Sequence, residues 1–169
     1  MPEWSIDPAR SRVGFAVRHL VFSKVRGRFT RFSGAITVDG DDFARARVTA
    51  QLEVASIESG DRERDQYLRT SEFLDPARFP TIDFASKRVE RDGRRWRVVG
   101  ELTIRGVARE VALTVDEKAR GERLAFHAET TIDRRHWDLR WGALVETGGF
   151  MVGDQIEIAI DVEATRRSS

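Results

Sequence analysis

Apolar side chains in this sequence fall at every second position, and that rhythm limits what the chain can fold into. Val13, Phe15 and Val17 alternate with Arg12, Gly14, Ala16 and Arg18, and Ala46, Val48, Ala50, Leu52 and Val54 alternate strictly with Arg45, Arg47, Thr49, Gln51 and Glu53. A period of two places successive side chains on opposite faces of a strand, one dry and one wet. Further runs are Val25, Gly27 and Phe29; Phe32, Gly34, Ile36 and Val38; Ile82 and Phe84; and Trp96, Val98, Gly100, Leu102 and Ile104. Val111, Leu113 and Val115, then Leu124, Phe126, Ala128, Thr130 and Ile132, then Ile156, Ile158, Ile160 and Val162 complete the series. Phe29 and Phe32 lie on opposite parity, which predicts a β-bulge near Thr30. Glycine-bearing turns at residues 38–41, 91–94, 104–107 and 119–122 separate the runs and make successive strands antiparallel neighbours.

Two segments break the rhythm. Residues 59–80 offer Ser59 or Asp61 as a helix cap, Asp65 and Arg69 four apart, and Asp75-Pro76 as a stop, so they predict one or two short helices across a barrel mouth or edge. Residues 133–154 carry Trp137, Trp141, Phe150 and Met151 beside Gly148-Gly149. They read as a long aromatic loop, either plain packing or a gate over an apolar cavity.

An all-β chain with this many amphipathic strands must stack two sheets or close one, because open edges invite aggregation. The expectation is an eight-stranded antiparallel barrel, whose interior is either filled by side chains or holds one small ligand. Inward positions mix bulky Phe15, Phe29, Trp96 and Phe126 with small Gly27, Gly34, Ala50, Gly100 and Ala128. The small residues either fit the taper and pack against neighbouring rings or leave volume for a ligand.

With 169 residues the whole chain, 1–169, reads as one domain. Its 29 basic and 28 acidic side chains nearly cancel, which argues against nucleic acid or an anionic membrane surface as partner. There is no cysteine, hence no disulfide or thiolate chemistry. Neither a signal peptide nor an apolar run of membrane-spanning length is visible, so a cytoplasmic location is expected.

The familiar hydrolase, metalloprotease and nucleotide-binding motifs are missing, and no cofactor or metal is expected. Asp133, His136 and Asp138 read as a salt-bridged corner rather than a metal pocket. His19 extends the face of Val13, Phe15 and Val17; it is either a satisfied core histidine or the inward donor for a ligand's polar head.

These residues carry a resemblance. Residues 11–34, with S-x-V-x-F-x-V-x-H followed by V-x-G-x-F, resemble the amino-terminal signature of the polyisoprenoid-binding YceI-like family. Arg64-Asp65, Leu68 and residues 71–86, 100–111 and 152–164 extend the match in order. The resemblance implies a lipocalin-like barrel with an apolar tunnel for a long isoprenoid, quinone or fatty-acyl chain, and no catalytic residue. It implies that Val13, Phe15, Val17, His19, Phe29, Phe84, Leu102 and Ile104 face the tunnel. Trp96 and Phe126 from the inward pattern, and Trp137, Phe150 and Met151 from the aromatic loop, complete the expected lining. The chain departs from the pattern in lacking an export signal and in carrying Trp at 137, which would shorten the tunnel. The reading is a non-enzymatic carrier or sequestering protein for such a lipid. Its alternatives are an enzyme acting on a bound amphiphile through His19 or His136, and a homodimeric interaction module whose outer face includes Ala16, Ala112 and Ala125.

Overall fold

A computed structural model of the chain describes residues 3–19, 23–40, 42–139 and 152–166. Its strands are β1 (Glu3–Ile6), β2 (Arg12–His19), β3 (Ser23–Phe29), β4 (Phe32–Asp39), β5 (Asp42–Glu53) and β6 (Ile57–Glu58). One helix, α1 (Arg62–Leu68), precedes β7 (Thr81–Asp92), β8 (Arg95–Ile104), β9 (Val107–Ala119), β10 (Arg123–Asp133) and β11 (Val152–Arg166). Among the described residues no helix is long and apolar enough to cross a membrane.

Eight strands close a ring in the order β1, β4, β5, β7, β8, β9, β10, β11 and back to β1, each pair antiparallel. The length of β11 makes this possible. One edge of it pairs with β10 along nearly its whole course, while the other holds β2 over Val152–Asp161 and β1 over Ala164–Arg166. From β2 the wall continues through β3 to the two-residue β6.

β1 and β6 are too short to show alternation, and the sequence did not disclose them. Near Thr30 the chain turns a corner between two strands instead of bulging within one. The corner is pinned where Thr30 N–H donates to the Ser56 carbonyl (3.3 Å), Arg31 N–H to Ser56 Oγ (3.1 Å) and Glu53 N–H to the Arg31 carbonyl (2.9 Å). A true bulge lies between Ser86 and Arg88, so Phe84 and Val89 both face inward across a change of parity. That shift hides the second half of β7 from a period-two reading.

The 59–80 connection contains one helix followed by turns. Asp61 caps it, accepting from the N–H groups of Glu63 (3.0 Å) and Arg64 (3.2 Å). Asp65 and Arg69 go separate ways. Buried Asp65 accepts from the N–H and hydroxyl of Ser59, while Arg69 donates to the carbonyls of Ala55 (3.1 Å) and Ile57 (2.6 Å). These bonds tie α1 back to β6, and Leu68, Phe73 and Leu74 bury themselves against Val54, Ile57 and Ile104 at that end of the barrel. A second apolar cluster at the opposite end holds Val38, Phe43, Val98, Leu124 and Ala164.

The outer wall is charged, and Ala16 is buried there rather than offered to a partner, flanked in register by Arg26 and Glu157. His127 stands between Glu129 (2.8 Å) and Asp161 (2.7 Å) on this face. Hydrogen bonds to the two carboxylates raise its pKa above the ordinary 6.5. A raised folded-state pKa contributes stability that is complete below the unfolded value and disappears as pH climbs through the folded value. Thermal melts from pH 5 to 9 should therefore show the native chain losing stability relative to His127→Gln as pH rises past about 6.5. The difference should stay within the roughly 0.2–1 kcal/mol of a surface ion pair; a flat difference would refute the assignment.

Candidate functional site

Between the two clusters the barrel encloses a cavity of about 440 Å³, inside the roughly 300–1,000 Å³ range of small-molecule sites. Its wall takes Val13, Phe15 and Val17 from β2, Phe29 from β3, Phe84 from β7, Trp96, Leu102 and Ile104 from β8, and Phe126 from β10. Ile156, Ile158 and Ile160 of β11 join them. Alternation produces this surface directly, since each strand turns every second side chain inward.

The small inward residues do both things the sequence left open. Phe15 lies over Gly27, its register partner, so that a Cβ built there would overlap the ring. At Gly100 a Cβ would come within 2.6 Å of Phe84 Cζ and 2.5 Å of the Ala85 carbonyl oxygen, and at Gly34 within 2.5 Å of Ile6 Cδ1. Ala46, Ala50 and Ala128 instead border open cavity. Gly27 and Gly100 each seat an aromatic ring against the wall, Gly34 seats the Ile6 side chain, and the alanines leave room.

Trp137 is placed otherwise than the sequence suggests. It is buried in a 3-10 turn, Arg134–Trp137, with its indole N–H donated to the Leu102 carbonyl at 3.0 Å, and it is not among the lining residues. A buried indole needs an acceptor, and the one it finds fixes the ring within the wall, so Trp137 does not shorten the cavity. His19 ends β2 in register with Ser23 and Val152. Its side chain lies outside the described residues, as do Trp141, Phe150 and Met151. His136 is exposed and away from the cavity. Beside it the Asp133 carboxylate is held well below the usual range by Arg135, and Arg134 pairs with Asp154 at 2.7 Å, a corner of ion pairs.

One end of the cavity is polar. Ser59, Asp61, Glu63, Arg64 and Tyr67 line it, and Asp61 and Glu63 are exposed, so the cavity reaches the surface beside the start of α1. Arg64 donates to Ser59 Oγ (2.8 Å) and to the Ser59 carbonyl (2.7 Å), and lies 4.0 Å from Asp61. Sequence reasoning had named Ser59 and Asp61 only as helix caps and Arg64 only through the resemblance, and had not singled out Glu63 or Tyr67. The available signal was positional, because polar side chains on a helix laid over an apolar mouth become its rim.

A family model described as a YceI-like domain matches residues 4–164. The chain belongs to the YceI family. Among curated relatives, the UPF0312 protein SAS2572 of Staphylococcus aureus is 29% identical over 170 residues, covering 96% of this chain and 97% of that protein. The crystal structure of Burkholderia cenocepacia BcnA superposes with a TM-score of 0.85 at 25% identity, over 95% of this chain and 99% of that one. A polyisoprenoid binding domain from Saccharophagus degradans has the same fold, with a TM-score of 0.77 at 16% identity over 97% and 98% of the two chains.

The Phe15 and Gly27 pair provides a test of this YceI barrel's wall. Gly27→Ala should lower stability by about 1–3 kcal/mol, as overpacking does, by driving the Phe15 ring off its seat. Gly14→Ala on the same strand pair, whose Cβ would meet nothing nearer than 3.5 Å, should stay within about 0.5 kcal/mol of the native protein. Urea denaturation of the two variants decides, and equal effects would refute the seating.

Proposed function

We propose that this YceI-family barrel binds one long-chain amphiphile of isoprenoid or fatty-acyl type, with its tail in the cavity and its head at the rim beside α1, and so carries or stores it. The observation that carries the reading is the single space that is apolar along its length and polar where it meets the surface. The polyisoprenoid binding domain from Saccharophagus degradans, which shares the fold, lends further support.

Energetics favour long tails. A dozen methylenes withdrawn from water contribute on the order of 10 kcal/mol, against about 4–15 kcal/mol of lost translational and rotational freedom. Short tails therefore fall below the threshold for retention. The rim favours a neutral head: Asp61 and Glu63 would repel an anion, and the Arg64 fork is already committed to Ser59. A hydroxyl, carbonyl or amide meets no such penalty.

An enzymatic reading through His136 has little to stand on, because that ring is exposed and away from the lining. Native mass spectrometry after gentle purification, followed by organic extraction, tests the proposal. One lipid per chain, or uptake of added prenols, quinones or fatty-acyl amides at micromolar concentration, is the expected result. A protein that carries nothing and takes up none of these sinks it.

A further inference from the structure

The end of the cavity opposite α1 is built from side chains of three separate hairpins. Phe43 follows the β4–β5 turn, Trp96 the β7–β8 turn and Phe126 the β9–β10 turn. Their rings meet through Phe43, which packs edge to face with Phe126 (centroids 5.8 Å apart) and tilted against Trp96 (6.2 Å). All three line the cavity. Cations cover two of them as well: the Arg120 guanidinium lies 4.0 Å from the Phe43 ring and that of Arg91 4.7 Å from Trp96. A guanidinium stays with water while it lies over a ring, so it marks the outer side of this aromatic group. Glu117 holds Arg120 in place through two hydrogen bonds of 2.6 and 2.9 Å. Val38, Leu124 and Ala164, each 2% exposed or less, pack in the same cluster.

We propose that Phe43, Trp96 and Phe126 form a floor that sets the longest tail the barrel can enclose, so that length is selected at this end and head chemistry at the rim. The inference rests on the lipid-binding reading above. The site opens beside α1, so a tail enters there and advances until its terminal methyl meets the rings. Rings that touch one another, one of them under a cation fixed by Glu117, have nowhere to swing, unlike a floor of methionine or leucine. A tail longer than the enclosed path leaves its surplus methylenes at the mouth in water. Affinity should then climb about fourfold for each added methylene up to a limiting length and level off beyond it.

The limit is movable from this end. Phe43→Ala removes a ring from the floor and should shift the plateau to longer chains. Ala128→Leu, two residues from Phe126 on the same inward face, adds bulk above the floor and should shift it to shorter ones. Arg64→Ala at the rim should rescale affinity for every length alike and leave the plateau where it was. The experiment is uptake of a graded series of straight-chain primary alcohols by the full chain, read by native mass spectrometry, with thermal melting to confirm that each variant is folded. If Phe43→Ala fails to fold, the shift in Ala128→Leu decides. Plateaus that coincide in native protein and folded variants overturn the floor while leaving lipid binding intact. Failure of the native protein to take up any chain overturns both.

Discussion

The hydrogen-bonded ring is the constraint on which the rest of the molecule depends. In most folds a core of interlocking side chains holds the secondary structure together; here the backbone ladder runs from strand to strand until it meets itself, through the pairing of β1 with both β4 and β11. An unfilled apolar void costs on the order of 24 cal/mol per Å³, so 440 Å³ corresponds to about 10 kcal/mol, comparable with the roughly 5–15 kcal/mol net stability of a domain. A barrel tolerates such a space because its wall supports itself, and because both ends of the barrel carry compact clusters of their own. An apolar occupant would recover much of that deficit, which ties the fold's energetics to the proposed function.

The two ends solve different problems. Beside α1, polar groups are exposed or tied to one another: Asp61 caps the helix, Asp65 takes both donors of Ser59, and Arg64 closes on the same serine. Satisfying Ser59, Asp65 and Arg64 locally leaves a rim that meets water through the exposed Asp61 and Glu63. At the far end two of the three rings lie under guanidinium groups, and the cluster below them is nearly sealed. The wall between offers hydrocarbon along its length, with little to distinguish one apolar tail from another.

Period-two alternation made the barrel legible because each strand has one wet and one dry face, and the strict runs at 46–54 and 96–104 correspond to β5 and β8. It failed where that physics was interrupted. Phe43 escaped notice because it does not share the parity of Ala46 and Val48, yet it reaches the cavity. The second half of β7 was hidden by the bulge at Ser86 and Arg88, and β1 by its four-residue length. Trp137 was misjudged for a different reason: aromatic composition does not say whether an indole faces a cavity or satisfies its N–H against a neighbouring carbonyl. Tertiary contacts alone decide that, and they also decide that Phe15 lies over Gly27.

Closing the ring through β1 and β11 also bears on how the chain acquires its shape during synthesis. Trp4 sits opposite Arg166, so the joint that completes the wall unites segments from opposite ends of the sequence. Contacts of such sequence separation form slowly, and a ribosome will have released nearly all of these residues before that joint can be made. Until then the nascent sheet has bare edges and an uncovered greasy face, the state in which β-rich chains are most apt to stick to one another. The many arginines and carboxylates along the outer wall, which add little to the finished molecule's stability, would do their most useful service in that interval.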